Sequence, residues 1–134
     1  MAINLSLPWG GTTGHGGGYT ALEWQQMQQR LFAPVDGILR GFDADLMVEE
    51  STPSALTVQI GPGSAIVQGI YVYNNDYETV VITENTSGNP RIDGLALQVD
   101  WATQVASFVA VEGTPAASPV APSMTQNSGT LWQM

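Results

Sequence analysis

The 134-residue chain has no cysteine and no lysine, a single histidine and three arginines. Without Cys it carries neither a disulfide framework nor a thiolate metal site. Twelve acids against three Arg leave a net charge of −9. The chain therefore lacks the cationic groups that neutralise a nucleic-acid backbone or an anionic membrane surface, and neither is expected as a partner. No apolar run approaches the roughly 20 residues of a membrane span, so no membrane insertion is expected. The N-terminus lacks the basic start and apolar core of a signal peptide. Charged residues make up only 11% of the chain, against about 25% in an average domain. A surface short of charge but rich in Gly, Ser, Thr, Asn and Gln suits a protein covered by its neighbours.

The same shortages narrow the chemistry. A nucleophile–His–acid triad has only His15 to use, and His15 lies within Gly10–Gly18, where catalytic geometry is hard to hold. That Gly-rich stretch lacks the Gly-Lys-Ser/Thr of a phosphate loop. Gly61-Pro62-Gly63-Ser64-Ala65 has its Ser misplaced for a nucleophile elbow. Asp43 and Asp45 lack the remaining ligands and the spaced Glu of a calcium loop, and read as solvated carboxylates. A glycosidase needs two carboxylates in opposed roles. None of Glu49, Glu50, Asp76, Asp93 and Asp100 has sequence neighbours that would raise its pKa. Asn85-Thr86-Ser87 is a glycosylation sequon of the kind that arises by chance. The expectation is a non-enzymatic protein with no catalytic residue, no metal and no cofactor.

What is present divides the chain into an arm (1–18), a helix plus β domain (19–112) and an extended C-terminal segment (113–134). In the arm, Ile3, Leu5 and Leu7 alternate with Asn4 and Ser6, and Trp9 follows; this pattern suits a strand added to a neighbour's sheet. A helix is predicted from Thr20 to about Ala33. Thr20 and Glu23 form a capping box, Tyr19 and Trp24 form a staple, and Pro34 is the stop. Trp24, Met27 and Leu31 make its apolar stripe, with Gln25, Gln26, Gln29 and Arg30 covering the other side. The stripe packs either on the domain's own sheet or on another subunit.

Beyond the helix the pattern is of short strands. Val35, Ile38 and Leu39 are read as plugs into the core, and Leu46 to Glu49 as the first strand. Leu56, Val58 and Ile60 alternate, and Gly61-Pro62-Gly63 turns the chain. Ser64–Gln68 and Ile70–Tyr73 are separated by Gly69, read as a bulge or a close backbone approach. Asn74-Asn75-Asp76 reads as a hairpin turn before Tyr77–Ile82. The clearest strand follows Asn89-Pro90, with Leu95, Leu97, Val99 and Trp101 on one face and Ala96, Gln98 and Asp100 on the other. Arg91 and Asp93, two apart on an extended chain, share a face and pair. Gln104–Val111 has Val105, Val109 and Val111 on one face and Phe108 on the other, which reads as central or covered rather than as an edge. The Pro-rich stretch 113–122 should be extended and lie along a surface. Val120, Leu131 and Trp132 are expected at an interface. The fold class is mainly β, an antiparallel sandwich or barrel-like domain with one N-terminal helix and extended arms.

Several passages resemble the N-terminal attachment domains of bacteriophage tail-fibre and baseplate receptor-binding proteins. They are Tyr19-Thr20-Ala21-Leu22-Glu23-Trp24 with Asp36-Gly37-Ile38-Leu39; the run from Leu56 to Gly69; Ser87-Gly88-Asn89-Pro90-Arg91-Ile92-Asp93; and Gly113-Thr114-Pro115-Ala116-Ala117-Ser118-Pro119-Val120-Ala121-Pro122. Their order spans most of the chain after Gly18. The resemblance implies a virion structural module, assembled in the host cytoplasm, usually trimeric, and bound to other virion proteins of the tail or baseplate. A capsid decoration or head-fibre base would suit a short chain that stops near Trp132. A carbohydrate-binding module contacting host glycan is the reading from another class, with Tyr71, Tyr73, Tyr77 or Trp101 as stacking platforms.

Overall fold

A computed structural model describes residues 21–32, 36–41, 43–51 and 56–134. Among these residues, one helix, α1 (Ala21–Phe32), precedes ten strands: β1 (Gly37–Leu39), β2 (Val48–Glu50), β3 (Thr57–Ile60), β4 (Gly63–Val67), β5 (Ile70–Asn74), β6 (Glu78–Val81), β7 (Gly94–Asp100), β8 (Val105–Val111), β9 (Gln126–Asn127) and β10 (Leu131–Gln133). They form three antiparallel sheets, ordered β1-β4-β5, β2-β3-β6 and β8-β7-β10-β9. The molecule is mainly β and sandwich-like, and among the described residues no sheet closes into a barrel.

The core lies where the sheets face one another. Leu46, Ile60, Ala65, Val67, Val80, Leu97 and Val99 form its buried centre, with Leu95, Trp101, Phe108 and Trp132 packed against it. The alternation on β7 predicts this: Leu95, Leu97, Val99 and Trp101 all contribute to the core. Phe108 pairs with Leu97 across the ladder and shares its inward face, opposite Val105, Val109 and Val111.

Several expectations are corrected. The first strand is β1 at Gly37–Leu39, and Leu46 lies in a turn rather than in a strand. Asp43, Asp45 and Leu46 all have positive φ. That loop clasps the β3–β4 connection: the N–H groups of Ala44 and Leu46 donate to the Pro62 carbonyl at 3.0 and 3.3 Å, and Gly61 donates to Met47. Leu46 is thereby driven into the core, while Ile38 stays exposed. Gly61-Pro62-Gly63 carries the chain from one sheet to another, and so does Asn74-Asn75-Asp76, which is not a hairpin because β5 and β6 lie in different sheets. Strand β8 is the edge of its sheet, not a central strand.

The C-terminal segment runs without helix or strand over 112–125, bending at Ala117-Ser118, and then re-enters the fold. β10 pairs with both β7 and β9, because Leu131-Trp132-Gln133 lies beyond the prolines and has every N–H available for a ladder.

Candidate functional site

The stretch before β7 joins the stretch after β8 in one polar junction. The Arg91 side chain is only 5% exposed, and its partner Asp93 16%. Terminal nitrogens of Arg91 donate to Asp93 Oδ2 at 3.0 Å, to Glu112 Oε1 at 2.9 Å and to the Thr83 carbonyl. Its Nε lies 2.8 Å from Asp93 Oδ1 as a close charge contact, with its hydrogen not aimed at that oxygen. Asp93 Oδ1 accepts instead from the Gly113 N–H at 2.8 Å, and the Ala116 N–H donates to the Pro90 carbonyl at 3.1 Å. A Cβ on Gly113 would stand 1.9 Å from the Ile92 carbonyl oxygen, so only glycine allows the two segments to touch. The Gly113 N–H and then the Arg91 guanidinium hold the Asp93 carboxyl below its usual range.

A second polar junction seats the helix. Gln68 and Gly69, both at positive φ, form the two-residue turn between β4 and β5. The side-chain amides of Gln25 and Gln29 donate to the Gln68 carbonyl at 2.8 and 2.9 Å. Asp36 accepts from the backbone and side chain of Gln68 at 2.6 and 2.8 Å, and Trp101 Nε1 donates to Gln25 Oε1 at 3.3 Å. A Cβ on Gly69 would meet the Gln25 carbonyl oxygen at 2.3 Å, so the close backbone approach expected there is present, at a tight turn. Among the described residues, the hydrogen bonds that dock α1 come from its glutamine side. Trp24 is 42% exposed and Leu31 67%, and Met27 is half-buried.

The remaining site residues fall as follows. Ile3, Leu5, Leu7 and Trp9 lie outside the described residues, as do Thr20 and Tyr19 of the cap and staple. Val120 is 77% exposed. Leu131 and Trp132 are half-buried, Trp132 against the core of its own domain. Tyr71, Tyr73 and Tyr77 are each more than half exposed, whereas Trp101 is half-buried against the core. The Asp100 carboxyl caps the turn after β7, accepting from the Ala102 and Thr103 N–H groups at 2.8 and 3.3 Å. A side-chain hydrogen bond from Thr103, then these two N–H groups, lower its pKa. Asp93 and Asp100 are thus both held ionised, the opposite of what a general acid requires. The side-chain nitrogen of Asn85 in the sequon donates to the Asn89 carbonyl at 2.7 Å.

The fold class defined by these observations is a mainly β, sandwich-like domain with two partly buried polar junctions. No family model, curated protein or solved structure matches the chain.

Proposed function

We propose that the chain is a non-enzymatic structural module of a bacteriophage virion, attaching a tail fibre or a baseplate receptor-binding tip to other virion proteins, and that it acts as a homotrimer. The observation that carries this reading is the Arg91 junction. Two passages of the resemblance, 87–93 and 113–122, are far apart in sequence yet meet through Arg91, Asp93, Gly113 and Ala116. Residues from two of the passages thus build part of the scaffold, as a shared structural role would require. The exposed helix stripe at Trp24 and Leu31 and the exposed Val120 supply apolar surface for neighbours. A capsid decoration or head-fibre base would use the same features at another place in the particle.

Peptide mass spectrometry of purified phage particles, with labelled-antibody electron microscopy, tests the reading. The chain is expected in the particle, in copy numbers divisible by three, at the tail. Its absence from intact particles would overturn the proposal, and a capsid position would favour the decoration role. The exposure of Tyr71, Tyr73 and Tyr77 favours a second reading, a carbohydrate-binding module, through stacking on sugar rings. A glycan array probed with the whole chain separates the two, since an adaptor should bind none of the sugars.

A further inference from the structure

Three sheet edges converge on one cleft. β5, β6 and β8 are each the outermost strand of their sheet. Residues of all three line a cavity of about 340 Å³ that also reaches the core residues Val80 and Leu97. The alternation of bonded pairs in each ladder fixes which backbone groups face outward. The two-residue turn makes Val67–Ile70 a bonded pair, and Ala65–Val72 is the next, so the N–H and C=O of Tyr73 point away from β4. In the β3–β6 ladder the Ile82 N–H donates to Leu56, which sets Thr79 out of phase and turns its backbone to the free edge. Leu97 and Met134 exchange both bonds, so β7 uses its other residues toward β8 and leaves the backbone of Ala106 and Phe108 outward. Tyr73, Thr79, Ala106 and Phe108 all line the cleft. Among the described residues none of these backbone groups meets a partner in another strand or loop.

We propose that this cleft accepts a strand, and that its occupant is Ile3–Leu7 of a second copy of the chain. An edge row of unpaired N–H and C=O groups binds an extended segment through its main chain, and an apolar floor selects alternate side chains. Ile3, Leu5 and Leu7 have that alternation, and Val80, Leu97 and Phe108 are the apolar residues at the inner wall of a cleft whose accessible lining is otherwise mainly polar. Asn4 and Ser6 then face the polar rim at Asn75 and Glu78. Met1–Gly18 contains no acid, so the arm adds no repulsion to a chain of net charge −9. The fourteen residues from Pro8 to Ala21 reach about 45 Å when extended, enough to cross to a neighbour. The inference rests on the proposed oligomer: closed symmetry lets every copy donate one arm and accept one.

The test uses the full chain with p-benzoylphenylalanine in place of Leu5, mixed as ¹⁵N-labelled and unlabelled copies, irradiated and mapped by peptide mass spectrometry. Cross-links are expected between labelled and unlabelled chains, at residues 72–80 or 105–108. Thr79→Lys, at an exposed rim position, should reduce their yield at least tenfold without moving the melting temperature. A trimer by native mass spectrometry whose cross-links stay within one chain, or land outside the cleft, would overturn the strand-acceptor site while leaving the trimer intact. Undiminished cross-linking in Thr79→Lys would overturn it as well. A chain that stays monomeric would overturn both proposals.

Discussion

Arg91 shows how far a residue's surroundings decide its worth. The pairing with Asp93 is legible in the sequence because Arg91 and Asp93 stand two apart on an extended stretch. The partners Glu112 and the Thr83 carbonyl are not legible, because they arrive from distant parts of the chain. An exposed pair contributes at most about 1 kcal/mol. A guanidinium 5% exposed with three partners is another case, since its removal leaves the partly buried Asp93 carboxylate without its cation and opens a gap in the junction. Arg91→Ala should therefore lower the melting temperature by about 10 °C, and Arg91→Lys should recover only part because a compact ammonium lacks the planar, spread donors that reach Asp93, Glu112 and the Thr83 carbonyl together. A thermal melt of Arg91→Ala within a degree or two of the parent would refute the junction. The acid side gives a second prediction. Asp93 has a lowered folded-state pKa, so its contribution is fully present above the unfolded value of about 3.9 and is lost as pH falls through the lower folded value. Melting temperature should hold from pH 7 to about 5 and fall below about pH 4. Asp93→Asn should lower it at pH 7 and flatten the acid fall; an acid fall of unchanged size would mean that other carboxylates, Asp100 among them, account for it.

At the scale of elements, the helix was legible and its docking face was not. Period and stop signals place α1 within a residue or so of its observed ends, because Pro34 and the apolar spacing are local features. The face that docks is set by Gln25 and Gln29, and side-chain amides aimed at a turn carbonyl leave no hydrophobic period to read. The same limit explains Asn74-Asn75-Asp76. Turn chemistry marks where a strand ends but not which sheet takes the next one. Gly69 was informative because a glycine inside an apolar run signals a close approach, and that approach is the helix backbone. Gln29→Ala should cost about 0.5–1.5 kcal/mol in chemical denaturation, the usual worth of one hydrogen bond. Gly69→Ala should cost more, since it adds both a positive-φ penalty and a clash with Gln25. If Gly69→Ala proved the milder of the two, the docking of α1 on this turn would be wrong.

For the whole molecule, the mainly β class followed from alternation and turn spacing. The division into three sheets did not, because register is set by pairing between distant segments. That division alters the case for a trimer. Trp132 packs into the core of its own domain, so the C-terminus no longer demands a neighbour to cover it. What remains is the helix, where Trp24 and Leu31 are exposed, and Val120. Exposed apolar side chains on a helix that already docks by another face are suited to a symmetric contact, in which each copy presents the same surface. The net charge of −9 opposes association, and salt should therefore favour it by screening. Native mass spectrometry is expected to show a species of about 43 kDa, three times the 14.2 kDa chain, more populated as ionic strength rises. Leu31→Asp should shift the population to monomer while leaving the melting of the monomeric fold nearly unchanged, because Leu31 is 67% exposed and lies off the docked face. A 14.2 kDa monomer at micromolar concentration and high salt would exclude the trimer, and a trimer indifferent to Leu31→Asp would move its interface away from the helix.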